Sequence, residues 1–215
     1  MLYDVFMKTL EKLFSTAARV KIMRLFLFNP DTAYAAETVI TRTREQASLV
    51  RKELSILSSM GLIKKRNAYV IVKPKSDKNK KALVQKKKVS GWVLDKEFGY
   101  LNELRNLLIN TQLARSSDII RRLQKSGKMK LIILAGIFIQ NTDSRLDLLV
   151  VGDDIRKASL ENAVKTLESE IGKELKYIWL DTEEFNYRVS MYDKLVRDVL
   201  DFPHEKILNR LAMAS

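Results

Sequence analysis

Apolar residues recur at spacings of three and four from the start of the chain, so that Leu2, Val5, Phe6, Leu10, Leu13 and Phe14 fall on one helical face. Ser15 offers an N-cap to a second run, Val20, Ile22, Met23, Leu25, Phe26 and Phe28, which Asn29-Pro30 stops. A short helix is expected over Ala35–Ile40, then a tight Thr41–Thr43 turn, then a long helix from about Arg44 to Met60. Val50, Leu54 and Leu57 mark the buried stripe of that helix, and Gly61 stands where a C-cap glycine belongs. Leu62–Arg66 and Tyr69–Lys73 read as two short strands joined through Asn67-Ala68.

Beyond residue 90 the pattern changes. Trp92 to Tyr100 re-enters apolar sequence, and Leu101, Leu104, Leu107 and Leu108 make a helical stripe. There follow a helix over Ser117–Lys125, strands over Lys130–Ile139 and Leu146–Val151, a helix over Leu160–Ile171 and a strand over Leu175–Leu180. A helix over Met191–Leu200 and a last short helix after Pro203 complete the reading. Helices and strands of these lengths, mixed along the chain, predict an α+β fold whose second half is a small mixed-sheet α/β domain.

Charge divides the chain as sharply as the pattern does. Residues 1–90 hold 20 Lys and Arg against 7 Asp and Glu, whereas residues 91–215 hold 19 of each. The first part is thus built to meet a polyanion and the second is an ordinary neutral globule. Helix, helix, turn, helix and hairpin with this charge is the layout of a winged helix-turn-helix: a three-helix core plus a β-hairpin wing, over residues 1–74. Residues 75–100 are then a basic linker and connecting strand, and 101–215 a second domain. The lysines between Lys73 and Lys88 suit a solvated, self-repelling linker or further phosphate contacts.

In that layout the long helix enters a DNA major groove with the face opposite Val50, Leu54 and Leu57. Here the face offers Arg44, Gln46, Ser48, Arg51, Lys52 and Ser55. Arg and Gln can each make two hydrogen bonds to a purine edge, whereas Lys52 suits a phosphate. The hairpin adds Lys64, Lys65, Arg66 and Lys73. Each residue alone is equally a solvated surface group. Over residues 42–88, however, 15 Lys and Arg stand against 3 Asp and Glu, the clustering that a phosphate backbone selects for. Trp92, Phe98 and Tyr100 read as packing residues rather than a base-stacking platform, because the pair at strand spacing has no basic neighbour.

Other classes are narrowed by what the chain contains. It has no cysteine and one histidine, His204, so disulfides, thiolate metal sites, a cysteine nucleophile and a paired-histidine zinc site are excluded. The longest apolar run, Leu131 to Ile139, is too short to cross a bilayer, and the N-terminus lacks the order of a signal peptide. A cytoplasmic protein without a membrane partner is expected. Asp153-Asp154 suit a turn and helix N-cap, and His204 suits a first-turn or surface position.

Leu134-Ala135-Gly136-Ile137-Phe138, followed by Thr142 to Asp153 with its core Arg145-Leu146-Asp147, resembles the signature of the minimal nucleotidyltransferase fold. In that family a Gly-Ser pair ends one strand and a second, hydrophobic strand carries Asp-x-Asp. The whole chain resembles predicted transcriptional regulators that join a winged helix to a nucleotidyltransferase-like domain. Ala18 to Met23, Gly61-Leu62-Ile63 and Thr182-Glu183-Glu184-Phe185 add to the likeness. It implies a site at Gly136, Ile137, Arg145, Asp147 and Lys176. Of these, Asp147 keeps the expected carboxylate. Arg145 stands where the first Asp belongs, Ile137 where the Ser belongs, and Lys176 at or near the third carboxylate. A cation where a dication must sit makes metal-dependent transfer implausible, so no catalytic residue, metal or cofactor is expected.

The leading expectation is a sequence-specific double-stranded DNA-binding regulator, homodimeric, with an inactive nucleotidyltransferase-like domain. Through that domain the chain would sense a ligand, dimerise or bind protein. Arg145 and Lys176 would then either bind the phosphates of a nucleotide or pair with Asp147 and its neighbours. An active nucleotidyltransferase and a protein-interaction module are the competing classes.

Overall fold

A computed structural model describes residues 9–72, 85–109, 116–141 and 143–211. Two compact units divide the chain: Met1–Ile109 with Ser169–Lys173, and Asn110–Glu168 with Glu174–Ser215. The fold is α+β, and its larger sheet is mixed. Among the described residues no helix is long and apolar enough to cross a membrane.

In the first unit, residues 9–13 are helical and form α1. Helix α2 spans Ala17–Phe28, and its N-cap is Thr16, whose hydroxyl accepts from Arg19 N at 3.0 Å. It is buried on most of its circumference, which is why its sequence is apolar nearly all round. Even Arg24 is fully buried there, and its Nε donates to Leu108 O. Helix α3 (Ala36–Thr43) continues through the segment expected as a turn. The turn falls instead at Arg44, whose left-handed φ of 57° ends α3, and α4 begins only at Ala47 and runs to Ser59. Its end matches the expectation in detail. Gly61, at φ 82°, donates to Ser58 O while Leu62 N donates to Leu57 O, the paired bonds of a Schellman cap.

The expected hairpin through Asn67-Ala68 is corrected. Strand β1 runs unbroken over Ile63–Val72 and pairs antiparallel with β2 (Gln85–Leu94), from Ile63 opposite Leu94 to Val72 opposite Gln85. Ala68 sits within the strand with its methyl packed against Gly91, where a Cβ would collide with both Ala68 and the Tyr34 carbonyl. Residues 85–88, read as linker, are therefore strand. Tyr34 adds a third rung by exchanging two backbone bonds with Trp92. Trp92 and Phe98 pack against the core of this unit, as expected, while Tyr100 is exposed. Helix α5 covers Leu101–Leu108.

The second unit is built on a sheet ordered β5-β4-β3-β6. It begins with α6 (Ser116–Leu123) and a short 3-10 turn. Strand β3 (Lys128–Leu134) pairs antiparallel with β4 (Leu148–Asp153) and with β6 (Glu205–Asn209), and β4 pairs parallel with β5 (Tyr177–Leu180). Leu149 and Val151 face a core with Phe185, Val196 and Val199. Leu148 and Val150, on the other pleat, are buried as completely, so the strand reads as continuously apolar. Of helix α7 (Lys157–Ile171), the part up to Glu168 belongs to this unit, and there Leu160, Val164 and Leu167 are buried.

Three expectations in this unit are corrected. The strand expected to reach Ile139 ends at Leu134, because Gly136 at φ 53° turns the chain into a 3-10 segment over Gly136–Ile139. The region after β5 holds two helices: α8 (Thr182–Ser190), capped by Asp181, and α9 (Lys194–Asp201), capped by Asp193. The last element is a strand, β6, paired along the edge of β3, where a helix after Pro203 was expected. His204 thus precedes a strand. Asp153 ends β4, and its carboxylate accepts from the hydroxyl and backbone N–H of Thr182 rather than capping α7.

Candidate nucleic-acid interface

One face of α4 is cleared of apolar groups. Val50, Leu54 and Leu57 are completely buried on one side of the helix. On the other, Ser48, Arg51, Lys52 and Ser55 are exposed, along with Gln46 at the N-cap. The helical period of 100° per residue separates these two sets by about half a turn. Arg44 is exposed as well, but in the turn before the helix rather than on it.

Besides its buried stripe, α4 makes a set of acid–base contacts that periodicity does not reveal. Glu53, on the buried side, accepts from Arg19 Nε at 2.6 Å and from the Thr16 hydroxyl at 2.9 Å, so the N-terminus of α2 is tied to the middle of α4. Glu45, in the turn, accepts from Lys21 Nζ at 2.6 Å. Glu37 of α3 lies 3.8 Å from the Arg51 guanidinium, with both side chains in solvent. The signal for Glu53 was present: a carboxylate inside an apolar stripe demands a cation.

Along the hairpin, Lys64, Lys65 and Arg66 are exposed on β1, and Lys87 and Lys88 on β2. Register sets Tyr69 opposite Lys88 and Arg66 opposite Gly91. Not all of this charge is free of internal contacts. Lys64 bonds Asp95 at 2.9 Å, and that bond, with the Glu97 N–H, holds the Asp95 carboxyl below the usual carboxylate range. Lys65 Nζ sits 3.7 Å above the Trp92 ring. Arg66, Asn67, Tyr69 and Lys88 line an open cleft with the loop Asp31–Ala33. Lys73 lies outside the described residues.

In the second unit four of the five site residues do converge. Asp147, 5% exposed, accepts from Ile137 N at 3.0 Å on one carboxylate oxygen and from Lys176 N at 2.8 Å on the other. A side chain at Gly136 would strike that carboxylate, so glycine is required there sterically as well as by its positive φ. Both oxygens of Asp147 are thereby spent on backbone amides, joining the turn after β3 to the entry of β5. Arg145 does not join this cluster. Its Nε lies 2.9 Å from Asp198 Oδ2 on α9, at the edge of a cleft of about 240 Å³ that Asn141, Asp143, Ser144 and Phe202 also line. The Lys176 side chain is exposed. Among the described residues no group of three or more Asp, Glu or His converges to hold a metal ion.

Comparison with protein-family models, with curated proteins and with solved structures finds nothing that matches this chain.

Proposed function

We propose that the protein is a sequence-specific double-stranded DNA-binding transcriptional regulator. The observation that carries this reading is the face of α4: Gln46, Ser48, Arg51, Lys52 and Ser55 exposed together, opposite a fully buried stripe. The order of α2, α3 and α4, the left-handed turn between the last two, and a long basic strand pair bridged by Tyr34 support a winged helix-turn-helix. In this reading Arg51 and Gln46 meet base edges, while Lys52 and the cations of β1 and β2 meet phosphates. A homodimer reading two half-sites goes with it.

The second unit, in our reading, is a nucleotidyltransferase-like domain without catalysis. Its order of β3, glycine turn, β4, α7 and β5 supports the likeness. Magnesium does not fit the residues present: among the described residues no group of three acidic or histidine side chains converges here, and the Asp147 carboxylate already accepts an amide on each oxygen. The domain then serves to bind a ligand, a second copy or another protein.

The test is fluorescence anisotropy of the full-length protein on a mixed-sequence duplex over a salt series. Affinity falls with log–log slope of about −0.9 for each phosphate contacted. On a site enriched from random sequence, Arg51→Ala costs about 1–3 kcal/mol and flattens preference, whereas Lys52→Ala weakens all sequences alike. Lys52 is the better control than Lys65, which also packs on Trp92. Absence of binding at low salt overturns the reading.

A further inference from the structure

We propose that Glu37 is a specificity-determining residue of the α4 face, an inference that rests on the DNA-binding reading above. Glu37 lies in the first turn of α3, 72% exposed, with its carboxylate 3.8 Å from the guanidinium of Arg51, itself 61% exposed. The other two acids of this segment, Glu45 and Glu53, turn away to Lys21 and Arg19 and hold α4 against α2. Glu37 alone among these three stands beside the exposed cations of α4.

Stability does not account for its standing beside Arg51. A solvated pair at this distance contributes little, and an acid in the first turn of a helix gains its dipole energy without an arginine next to it. Against a polyanion, moreover, the carboxylate is a liability: it cancels one of the two cations, Arg51 and Lys52, that α4 presents. That penalty falls on every sequence when Arg51 is used as a phosphate contact. It is offset only where Arg51 leaves Glu37 for a purine edge, which holds the guanidinium by two hydrogen bonds in the floor of the groove, away from the phosphates. Glu37 therefore suppresses non-specific binding more than specific binding, which is discrimination by penalising the wrong complex.

The experiment measures full-length wild type, Glu37→Gln, Arg51→Ala and the double variant on two probes: a random-sequence duplex pool, and the site that wild type enriches from it. Glu37→Gln is expected to raise affinity for the pool by about five- to tenfold and to steepen its salt slope by about 0.9, while the enriched site changes by less than about twofold. With Arg51→Ala as background, Glu37→Gln no longer alters the ratio of the two affinities. Equal factors on both probes, or a changed melting temperature with no change in ratio, mean a helix-terminus role only and overturn the inference. Wild type that binds no duplex at low salt overturns the DNA-binding reading itself, and does so before any variant is compared.

Discussion

Two buried carboxylates decide how much of this molecule holds its shape. Glu53 is almost completely withdrawn from water yet satisfied by Arg19 and Thr16. Removing it strands a partly buried guanidinium, so Glu53→Ala is expected to cost about 3 kcal/mol in urea denaturation. Glu53→Gln costs less, because the amide oxygen still accepts from the Thr16 hydroxyl. Asp147 makes the same kind of argument in the second unit. Asp147→Ala leaves the Ile137 and Lys176 N–H groups without their acceptor, at about 1–3 kcal/mol each where no water replaces it. Arg145→Ala removes an ion pair whose arginine is 57% exposed, and is expected to change stability by less than about 1 kcal/mol. Comparing the two denaturation midpoints tells which of these residues the fold depends on. A larger loss at Arg145 than at Asp147 would contradict the backbone-clip role of the carboxylate.

Between elements, short polar links carry what apolar burial cannot specify. Asp153 at the end of β4 accepts from the Thr182 hydroxyl at the start of α8, and this bond above all lowers its carboxyl below the usual range. A depressed folded-state pKa adds stability at pH above the unfolded value, near 3.9, and that contribution is lost as pH falls through the folded value. Thr182→Val is therefore less stable than wild type near neutrality, and the gap narrows on acidification; a gap independent of pH would show that the link is not ionic. Elements of this chain were legible in sequence wherever apolar residues are periodic or continuous and an end is marked: α2, the C-terminal end of α4 with its Gly61 cap, β4 and α7. Those missed had local chemistry that competed with pattern. Asp181 and Glu184 are a cap and its third-residue acid, the mark of a helix start at α8, but lie within a segment too polar to show a stripe. Strand β1 was split at Asn67-Ala68, because Asn favours turns, although long-range packing of Ala68 on Gly91 overrides it. Gly136, Ile137, Asp147 and Lys176 could be gathered from sequence, but the use of the Asp147 oxygens by backbone amides could not, because it depends on where two turns meet.

At the scale of the whole chain, an excess of 13 positive charges confined to residues 1–90 sets the energetics of any partner. Such a concentration repels itself at low ionic strength; the pairs Arg19–Glu53 and Lys21–Glu45 are already counted within that excess, and Lys64–Asp95 draws on an acid from beyond it. A duplex supplies what is missing, so under the proposed function it binds the folded chain and raises its melting temperature. At a duplex concentration about a hundredfold above Kd the gain amounts to about 2.7 kcal/mol, and raising salt erases it as counterion release loses its advantage. Nucleoside triphosphate with magnesium is the opposing probe. At matched ionic strength it is expected to shift the melting temperature no further than tripolyphosphate does, and to transfer no label to nucleic acid or protein. A magnesium-dependent shift beyond that control would require the nucleotide to be held by something other than net charge. Such a shift without transfer would make the domain a nucleotide-binding one, whereas transfer of label would require the inactive reading of the Arg145 and Asp147 region to be given up, even if duplex binding stood.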